Sequence, residues 1–235
     1  MKKRAFQLLY DMENSWWYQG RRVVVSKILS KFLISKERIS ILDFGAGYGG
    51  MFGLLNKYGN VDAFELDAEA RDLCSKRGYR NVFNSRNIAL SEKNRFDLIS
   101  LFDVVEHVEN DKDLIDSLYK FLSKDGQVVI TVPAYQWLWS THDIEHNHYR
   151  RYTKGSIARL LKEVGFEIEY SSYWNTLLFL PAAFTRIFGL SGEGSLKMSK
   201  FFDSVLYIIV LIESMLMPFL SYNFGLGIIV IAKKK

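Results

Sequence analysis

The sequence contains a single cysteine, Cys74, among 235 residues. One thiol cannot form a disulfide within the chain, and no secretory leader pattern begins it. We therefore expect a protein of the reducing cytoplasm. Cys74 lies in a helical pattern, where a buried cysteine usually serves as a small apolar side chain. We expect no catalytic role for it.

Excess charge is also scarce. The formal net charge is +5, and much of this surplus lies in the basic residues 2–4 and 233–235. No basic helix stripe or RNA-binding signature is present. We therefore interpret the charge first as serving solubility or attraction to an anionic membrane surface, and only second as serving nucleic-acid binding. With 49% apolar and 24% charged residues, the composition is that of a globular chain with a sizeable core.

Long apolar runs occur only near the end, at residues 176–190 and 205–220. The second run has 16 residues and contains Glu213, so it is short and charged for a membrane span. A membrane-interface helix is one hypothesis, because the run carries a polar stripe. A core-packing helical pair, a dimer interface and a transmembrane hairpin are the alternatives. The stripe consists of Asp203, Tyr207 and Ser214.

Residues 39–50 are typical of a buried strand that runs into a glycine turn, and an apolar helical pattern follows at residues 51–58. Such a turn brings backbone N–H groups close to a ligand, and glycines remove the Cβ atoms that would block it. Gly45, Gly47 and Gly50 fit the dinucleotide pattern G-x-G-x-x-G, which is a weak signal by itself.

A second strand pattern, residues 61–65, ends in an acidic residue about 20 positions after Gly45. A carboxylate there suits the two hydroxyls of a ribose, because one carboxylate accepts hydrogen bonds from both. We therefore expect Glu65 to bind ribose. The alternative is a charge at a helix N-terminus, although Asp67 fits the helix-cap role better.

Further strand patterns at residues 81–83, 95–102, 127–132 and 166–174 alternate with helical patterns, which predicts a mostly parallel sheet. In such sheets ligands bind at the carboxyl ends of the strands. The residues expected at that edge are the glycine turn, Glu65, Asn87, residues 102–107 and the segment after Pro133.

Two segments carry unusual clusters beside this edge. Residues 133–153 form a long loop with three of the four histidines, which is typical of a functional lid. Residues 15–22 pair two tryptophans with two arginines and lead into a helical pattern at residues 23–33. They are either an aromatic cap on the core or a flap whose arginine meets a carboxylate.

These motifs together resemble those of class I S-adenosylmethionine-dependent methyltransferases. Residues 42–49 are similar to the motif h-D-h-G-x-G-x-G, and residues 126–133 to the fifth-strand motif that ends in proline. The most specific match is residues 96–99 with 104–108, which resemble F-D-h-h…L-E-H-V. The resemblance implies a Rossmann-like, seven-stranded, mostly parallel sheet with helices on both faces. Its last strand, residues 227–232, is antiparallel beside the sixth and follows an apolar helical insertion.

The resemblance also implies a site for S-adenosylmethionine. Asn87 replaces the acidic residue that family members often place against the adenine. The nearest subgroup is that of O-methyltransferases similar to those of ubiquinone biosynthesis and of bacterial glycan clusters. The cofactor-binding residues implied are Asp43, Gly45, Ala46, Gly47, Glu65, Asn87 and Phe102.

Some O-methyltransferases hold a divalent metal with an E-x-x-E-H motif and a later histidine. The matching positions are Asp103, Glu106, His107 and His148, although Asp103 has a shorter side chain than the glutamate of that motif. Mixed carboxylate and imidazole ligands suit magnesium, manganese or zinc. The alternative is that Glu106 and His107 only begin the following helix and support the cofactor.

We therefore expect methyl transfer to an oxygen of a lipophilic or amphipathic small molecule, with His148, or else His142, as the base. Alternatives are an NAD-dependent oxidoreductase or epimerase, which Asp43 disfavours, and a non-catalytic, membrane-associated cofactor-binding protein. The expected location is the cytoplasm, peripheral on the inner face of the membrane through residues 175–220; the oligomeric state is left open. The division expected is a helical flap (1–38), a methyltransferase core (39–174), an apolar insertion (175–223) and a final strand with a basic tail (224–235).

Overall fold

The computed structural model describes residues 13, 15–33, 37–84, 95–187 and 200–235, without the side chains of 185–187 and 200. The described residues form a seven-stranded sheet in the order β3-β2-β1-β4-β5-β7-β6. The strands are β1 (Ile39–Phe44), β2 (Gly59–Phe64), β3 (Val82–Phe83), β4 (Phe96–Phe102), β5 (Leu122–Pro133), β6 (Phe166–Trp174) and β7 (Gly227–Lys234).

Helices and short 3₁₀ turns connect these strands. The turns span Val105–His107 and Gln136–Leu138. The helices are α1 (Trp16–Phe32), α2 (Phe52–Leu55), α3 (Ala68–Arg77), α4 (Asp111–Phe121), α5 (Thr141–Glu145), α6 (Lys154–Val164), α7 (Phe179–Ile187) and α8 (Lys200–Leu216).

The strand directions confirm the predicted topology. The pairs β1–β2, β1–β4, β2–β3 and β4–β5 are parallel. β7 lies between β5 and β6 and is antiparallel to both. Its residues 227–232 are buried, as a central strand with covered faces requires.

Two apolar clusters cover the two faces of the sheet. One packs α4 and α6 on the sheet through residues such as Leu118 and Leu161. The other packs α1 and α8 through residues such as Ile28 and Val210. The expected placement of helices on both faces is confirmed.

Local signals at the helix ends also agree with the sequence. Asp67 accepts hydrogen bonds from the backbone N–H groups of Glu69 and Ala70, both at 3.0 Å, and so caps α3. Gly78 and Gly165 end α3 and α6 with φ of 103° and 113°, a conformation that favours glycine.

Three elements have boundaries that differ from the prediction by several residues. α1 begins at Trp16 instead of residue 23, and α2 has only four residues. β5 begins at Leu122, although the predicted strand began at Gln127. The cause is an irregularity: pairing with β4 shifts register after Leu122, and Asp125 takes a φ of 63°.

The apolar insertion contributes α7 and α8. α8 packs along α1: a Cβ placed on Gly20 would lie 2.8 Å from Val210 Cγ1, so the two backbones approach closely there. Among the described helices, none combines the length and the apolarity needed to cross a bilayer.

Candidate active site

The glycine turn after β1 is shaped by its neighbour, β2. The N–H groups of Gly45 and Ala46 donate to the carbonyl of Phe64, at 2.8 and 3.2 Å. Gly45 and Gly47 have φ of 74° and 55°. A Cβ on Gly45 would lie 2.6 Å from Val104, whereas a Cβ on Gly47 would have no neighbour within 4 Å. The turn is therefore closed against the protein at Gly45 and open at Gly47.

Glu65 stands directly beside this turn. One carboxylate oxygen accepts from Gly47 N at 2.8 Å, and the other from Leu66 N and Asp67 N at 2.7 and 2.9 Å. Three backbone donors thus fix its orientation, while a carboxylate has about four acceptor positions in total. Glu65 is held in place and retains capacity for a ligand hydroxyl.

Asp43 lies beneath the turn, with 2% of its surface exposed. Its two oxygens accept hydrogen bonds from Tyr79 Oη at 2.6 Å and Ser100 Oγ at 2.8 Å. Burial raises the pKa of this carboxyl, and these two hydrogen bonds oppose the shift. In the described structure Asp43 supports the turn from inside the sheet, and its contact with a cofactor stays a prediction.

Cys74 has the structural role that the sequence indicated. It is buried, and its thiol contacts the carbonyl of Gly47 at 3.3 Å. Burial raises the pKa of the thiol to about 12. A thiol in that state is a poor nucleophile at neutral pH. We call the ends of β1 and β2, with the turn and Glu65, the cofactor edge.

Asp103 follows β4 and has a φ of 56°. It accepts a hydrogen bond from Thr131 Oγ1 at 2.9 Å and forms an ion pair with Arg21 NH1 at 2.5 Å. Phe102, the last residue of β4, is nearly buried in the core. Trp17 also packs on Trp174 with ring centroids 4.7 Å apart, so the tryptophan–arginine segment contributes an aromatic cap to the core. Its role as a flap over a ligand stays a prediction.

Glu106 lies in the 3₁₀ turn that follows and is fully buried. Neither of its carboxylate oxygens accepts a hydrogen bond from another described residue. Burial, followed by the nearby charge of Asp103, holds the pKa of Glu106 well above its usual range. A buried acid in this state is either protonated or completed by something that binds there.

His148 is oriented by a buried acid that the sequence did not single out. Its Nδ1 lies 2.8 Å from Asp143 Oδ1. Arg151 also grips Asp143 with Nε and NH2, at 2.7 and 2.8 Å. Burial alone would raise the pKa of Asp143, but the hydrogen bonds from His148 and Arg151 hold it well below its usual range. With Nδ1 turned to this carboxylate, Nε2 is the free nitrogen of His148.

Glu106, His107 and His148 converge, with one ligand atom from each within 4.8 Å of the others. Burial lowers the pKa of His107 to about 4, with the neighbouring His148 as the second cause, so this ring stays neutral. Three of the four residues predicted as metal ligands therefore come together. The fourth, Asp103, is outside the group and is engaged by Arg21 and Thr131 instead.

His142 lies on the exposed side of α5, its ring centroid 6.2 Å from that of His148. It is therefore near the converging group without belonging to it. Asn87 lies outside the described residues, so its predicted contact with adenine stays a prediction.

Aromatic rings surround the ends of β5 and β6. Tyr135, with a φ of 58°, stacks on Tyr173 at 5.1 Å between centroids and also contacts Trp137 and Phe179, each at 5.7 Å. Phe224 extends the group at 5.6 Å from Phe179. Trp137 is largely exposed. This aromatic cluster is an apolar surface at the same end of the sheet as His148.

Asn175 follows β6 and is fully buried, with a φ of 57°. Its side-chain oxygen and nitrogen have no hydrogen-bond partner among the described residues. We call the ends of β4, β5 and β6, with the loops that contain Glu106, His148 and Asn175, the acceptor edge. The buried side chains of Glu106 and Asn175 differ from those of Glu65 and Asp43 at the cofactor edge, because they have no hydrogen-bond partner among the described residues.

A family model described as "Methyltransferase domain" matches residues 16–171. The match covers more than half of the 235 residues, and the chain belongs to this methyltransferase family. No curated protein matches the chain.

Solved structures share the fold at low identity. A SAM-dependent methyltransferase from Archaeoglobus fulgidus has a TM-score of 0.57 at 19% identity, over 91% of this chain and 94% of that one. Phosphoethanolamine N-methyltransferase 2 from Haemonchus contortus was solved in complex with phosphomonomethylethanolamine and S-adenosylhomocysteine. It has a TM-score of 0.59 at 20% identity, over 91% of this chain and 53% of that one. The [4+2]-cyclase SpnF has a TM-score of 0.59 at 14% identity, over 94% of this chain and 84% of that one. Such likenesses establish the fold, which serves more than one reaction.

Proposed function

We propose that the protein transfers a methyl group from S-adenosylmethionine to an oxygen of a lipophilic or amphipathic small molecule. The observation that carries this proposal is the pairing of His148 with Asp143 at 2.8 Å, on the acceptor edge beside the glycine turn. A hydroxyl must lose its proton as its oxygen bonds to the methyl carbon, and an oriented imidazole accepts that proton near neutral pH.

The cofactor edge fits S-adenosylmethionine, which supplies a methyl group activated by its positively charged sulfur. Glu65 is oriented to receive a ribose diol, and the open space at Gly47 lets a ligand reach the backbone. Arg21 Nε is buried without a partner in the described structure. We propose that it receives the carboxylate of the methionine portion. Asp43, Gly45, Ala46 and Phe102 support this surface, and Asn87 keeps its proposed place at the adenine.

His148 is the proposed base. Asp143 remains ionised because Arg151 pairs with it, so it can stabilise the imidazolium that forms when His148 takes the proton. His142, exposed and farther from the converging group, is the second candidate. The chain's contribution is then to place the acceptor oxygen behind the methyl group, to hold its proton and to exclude water.

The aromatic cluster supports an apolar acceptor. Tyr135, Trp137 and Phe179 present ring faces and edges at the acceptor edge, and rings of this kind bind planar or aliphatic groups by area and stacking. This is the ground for proposing an acceptor related to those of the ubiquinone-type and glycan-cluster O-methyltransferases.

A divalent cation held by Glu106, His107 and His148 is a second candidate arrangement. The unpaired buried carboxylate of Glu106 favours it, and a cation there would lower the pKa of the acceptor hydroxyl. The substitution Glu106→Gln and the addition of a chelator distinguish a protonated Glu106 from a bound cation. If Glu106 is protonated and holds no cation, activity is retained under both changes. If a cation is bound, both changes abolish activity.

The direct test is transfer of tritiated methyl groups from S-adenosylmethionine into a host lysate that is then divided into lipid and aqueous fractions. We expect the label in the lipid fraction as an alkali-stable ether, with His148→Ala as the inactive control. Label in a primary amine, or in the aqueous fraction alone, would contradict O-methylation of a lipophilic acceptor. Cofactor binding without any turnover would favour the non-catalytic alternative.

The cellular placement belongs to the same proposal. We propose a cytoplasmic protein whose core, residues 39–174, performs the chemistry under the N-terminal flap, and whose insertion and final strand complete the acceptor edge. The single buried cysteine suits a reducing compartment. Peripheral attachment to the inner face of the membrane rests on the surface described next.

A further inference from the structure

α8 buries polar residues together with apolar ones on the side that faces the protein. Asp203 accepts from the backbone N–H of Trp16 at 3.2 Å, and Glu213 is 2% exposed. Ser214 is fully buried beside them. A soluble helix normally buries its apolar stripe and exposes its polar one.

The inward polar residues are integrated into the fold. Glu213 Oε2 accepts from Leu177 N at 3.1 Å, which ties α8 to the segment after β6. Burial raises the pKa of Glu213, against the opposing effect of these backbone hydrogen bonds. The orientation of α8 is thus fixed by specific bonds, and rotation about its axis would break them.

The opposite side of α8 and the turn after it form an exposed apolar stripe. Phe201 and Phe219, at its two ends, are 72% and 77% exposed, and Ile212 between them is 54% exposed. The spacing of three and four residues places the set on one face, over about 20 Å of helix. The stripe consists of Phe201, Val205, Ile208, Ile212, Met215 and Phe219.

Other exposed apolar side chains lie on α7 and before β7. Leu180 and Phe184 on α7 are exposed, and Phe224, half exposed, joins the aromatic cluster through Phe179. Exposed apolar side chains that share one helix face, as those of the stripe do, mark an interaction site.

The exposed charges of α1 beside the stripe are positive. Lys31 of α1 is exposed and lies over the ring of Phe219 at 4.7 Å, with Lys27 exposed one turn before it. Among the described residues of α1, α7, α8 and segment 217–226, the acidic residues are Asp203, which is half-buried, and Glu213, which is buried. Apolar side chains bordered by lysines match the interface of an anionic bilayer.

We propose that the α8 stripe is a docking surface for an anionic lipid bilayer, with α8 lying in the plane of the interface. The described helix is too short and polar to cross it. This surface stands independently of the methyl-transfer chemistry. A second copy of the chain on the same stripe is the competing occupant.

The test is co-sedimentation of the full chain, without cofactor, with phosphatidylcholine vesicles and with mixed phosphatidylcholine–phosphatidylglycerol vesicles. We expect binding to the mixed vesicles and at least tenfold less binding for the double variant Ile208→Glu, Ile212→Glu. Lys31→Glu should remove the preference for the anionic lipid. The matched control is Leu66→Glu, an exposed apolar residue beyond β2 that is remote from α8, and it should bind vesicles like the unaltered protein.

Thermal melting and light scattering complete the experiment. Because both isoleucines are exposed, the double variant should melt like the unaltered protein. Equal vesicle binding by the double variant would overturn the proposal. So would a dimer that the double variant converts to a monomer while neither protein binds vesicles, because the second copy would then be the occupant. Absence of methyl transfer would leave the vesicle result unaffected, so the two proposals fail separately.

Discussion

The cofactor edge and the acceptor edge lie side by side on one sheet but are built differently. At the cofactor edge, backbone donors hold Glu65, and two hydroxyl groups satisfy Asp43. At the acceptor edge, Glu106 and Asn175 are fully buried with no partner for their side chains in the described structure. Buried polar groups are nearly always paired in folded proteins. The difference indicates that Glu65 and Asp43 are fixed before a ligand binds, whereas Glu106 and Asn175 acquire their partners from a ligand.

The largest expected effect lies at the acceptor edge. His148→Ala should lower the rate of methyl transfer about 100- to 10,000-fold, because it removes a general base. The dissociation constant of S-adenosylmethionine, measured by calorimetry, should stay within about twofold, because His148 does not belong to the cofactor edge.

His142→Ala is the matched control for this change and should have a much smaller effect. Equal losses in the two variants would contradict the assignment of His148 as the base. Weakened cofactor binding in His148→Ala would contradict the separation of the two edges.

The two glycines of the turn test the cofactor edge itself. Gly45→Ala should destabilise the protein by about 3 kcal/mol, since it combines a strained φ with overpacking against Val104. Gly47→Ala should cost only about 1 kcal/mol, because strain alone applies where the space is open.

Chemical denaturation measures both values, and calorimetry should show weakened cofactor binding in Gly47→Ala as well. If Gly47→Ala bound S-adenosylmethionine normally, the open space at Gly47 would not be the ligand's place.

The pH dependence of stability tests the one buried carboxylate of the cofactor edge. The pKa of Asp43 is raised in the folded protein above its unfolded value of about 3.9. The folded state therefore binds the proton of Asp43 more tightly than the unfolded state does. The stability that the protonated carboxyl contributes is lost as pH rises through the folded pKa. We expect the free energy of unfolding to fall relative to that of Asp43→Asn as pH is raised from about 4 toward neutrality. A constant difference between the two proteins across this range would show that Asp43 titrates normally.

The smallest effect is predicted for Asn175→Gly. Glycine keeps the positive φ and removes an amide that has no partner, so stability should change by about 1 kcal/mol or less. Asn147→Gly, at an exposed position with a φ of 55°, is the control for the backbone effect alone. A loss of more than about 2 kcal/mol in Asn175→Gly would mean that the buried amide is already paired and that the acceptor edge is complete without ligand.

The fold was predictable because its signals are local. The alternation of strands and helices, the glycine turn and the caps at Asp67 and Gly78 each follow from a few neighbouring residues. The boundary at Leu122 was not predictable in this way, because it depends on a register shift against β4 that no local pattern encodes.

The residues of the site that belong to sequence motifs were predicted, and those that do not were missed. Glu106, His107 and His148 carry motif signals, and the structure brings them together. Asp143 and Arg151 were missed as functional residues, because their pairing with each other and with His148 depends on the conformation of the loop. An acid five residues before His148, within a histidine-rich loop, was the one signal available for Asp143.

The orientation of α8 also depends on residues that are distant in sequence. The sequence identified an apolar helix with a polar stripe, but the direction in which the stripe faces is set by Trp16 and Leu177, far away in sequence. One side of α8 packs on the core, as the core-packing hypothesis holds. The interface hypothesis for its other side stays a proposal.

The most direct test of whether the glycine turn and Glu65 bind S-adenosylmethionine is calorimetric titration of the protein with S-adenosylmethionine and with S-adenosylhomocysteine. The variant Glu65→Ala is titrated alongside. We expect one site per chain for both molecules and a loss of binding of at least tenfold in the variant, because the ribose hydroxyls lose their acceptor. Absence of binding to the unaltered protein, or equal binding to Glu65→Ala, would contradict the assignment of the glycine turn and Glu65 to this cofactor.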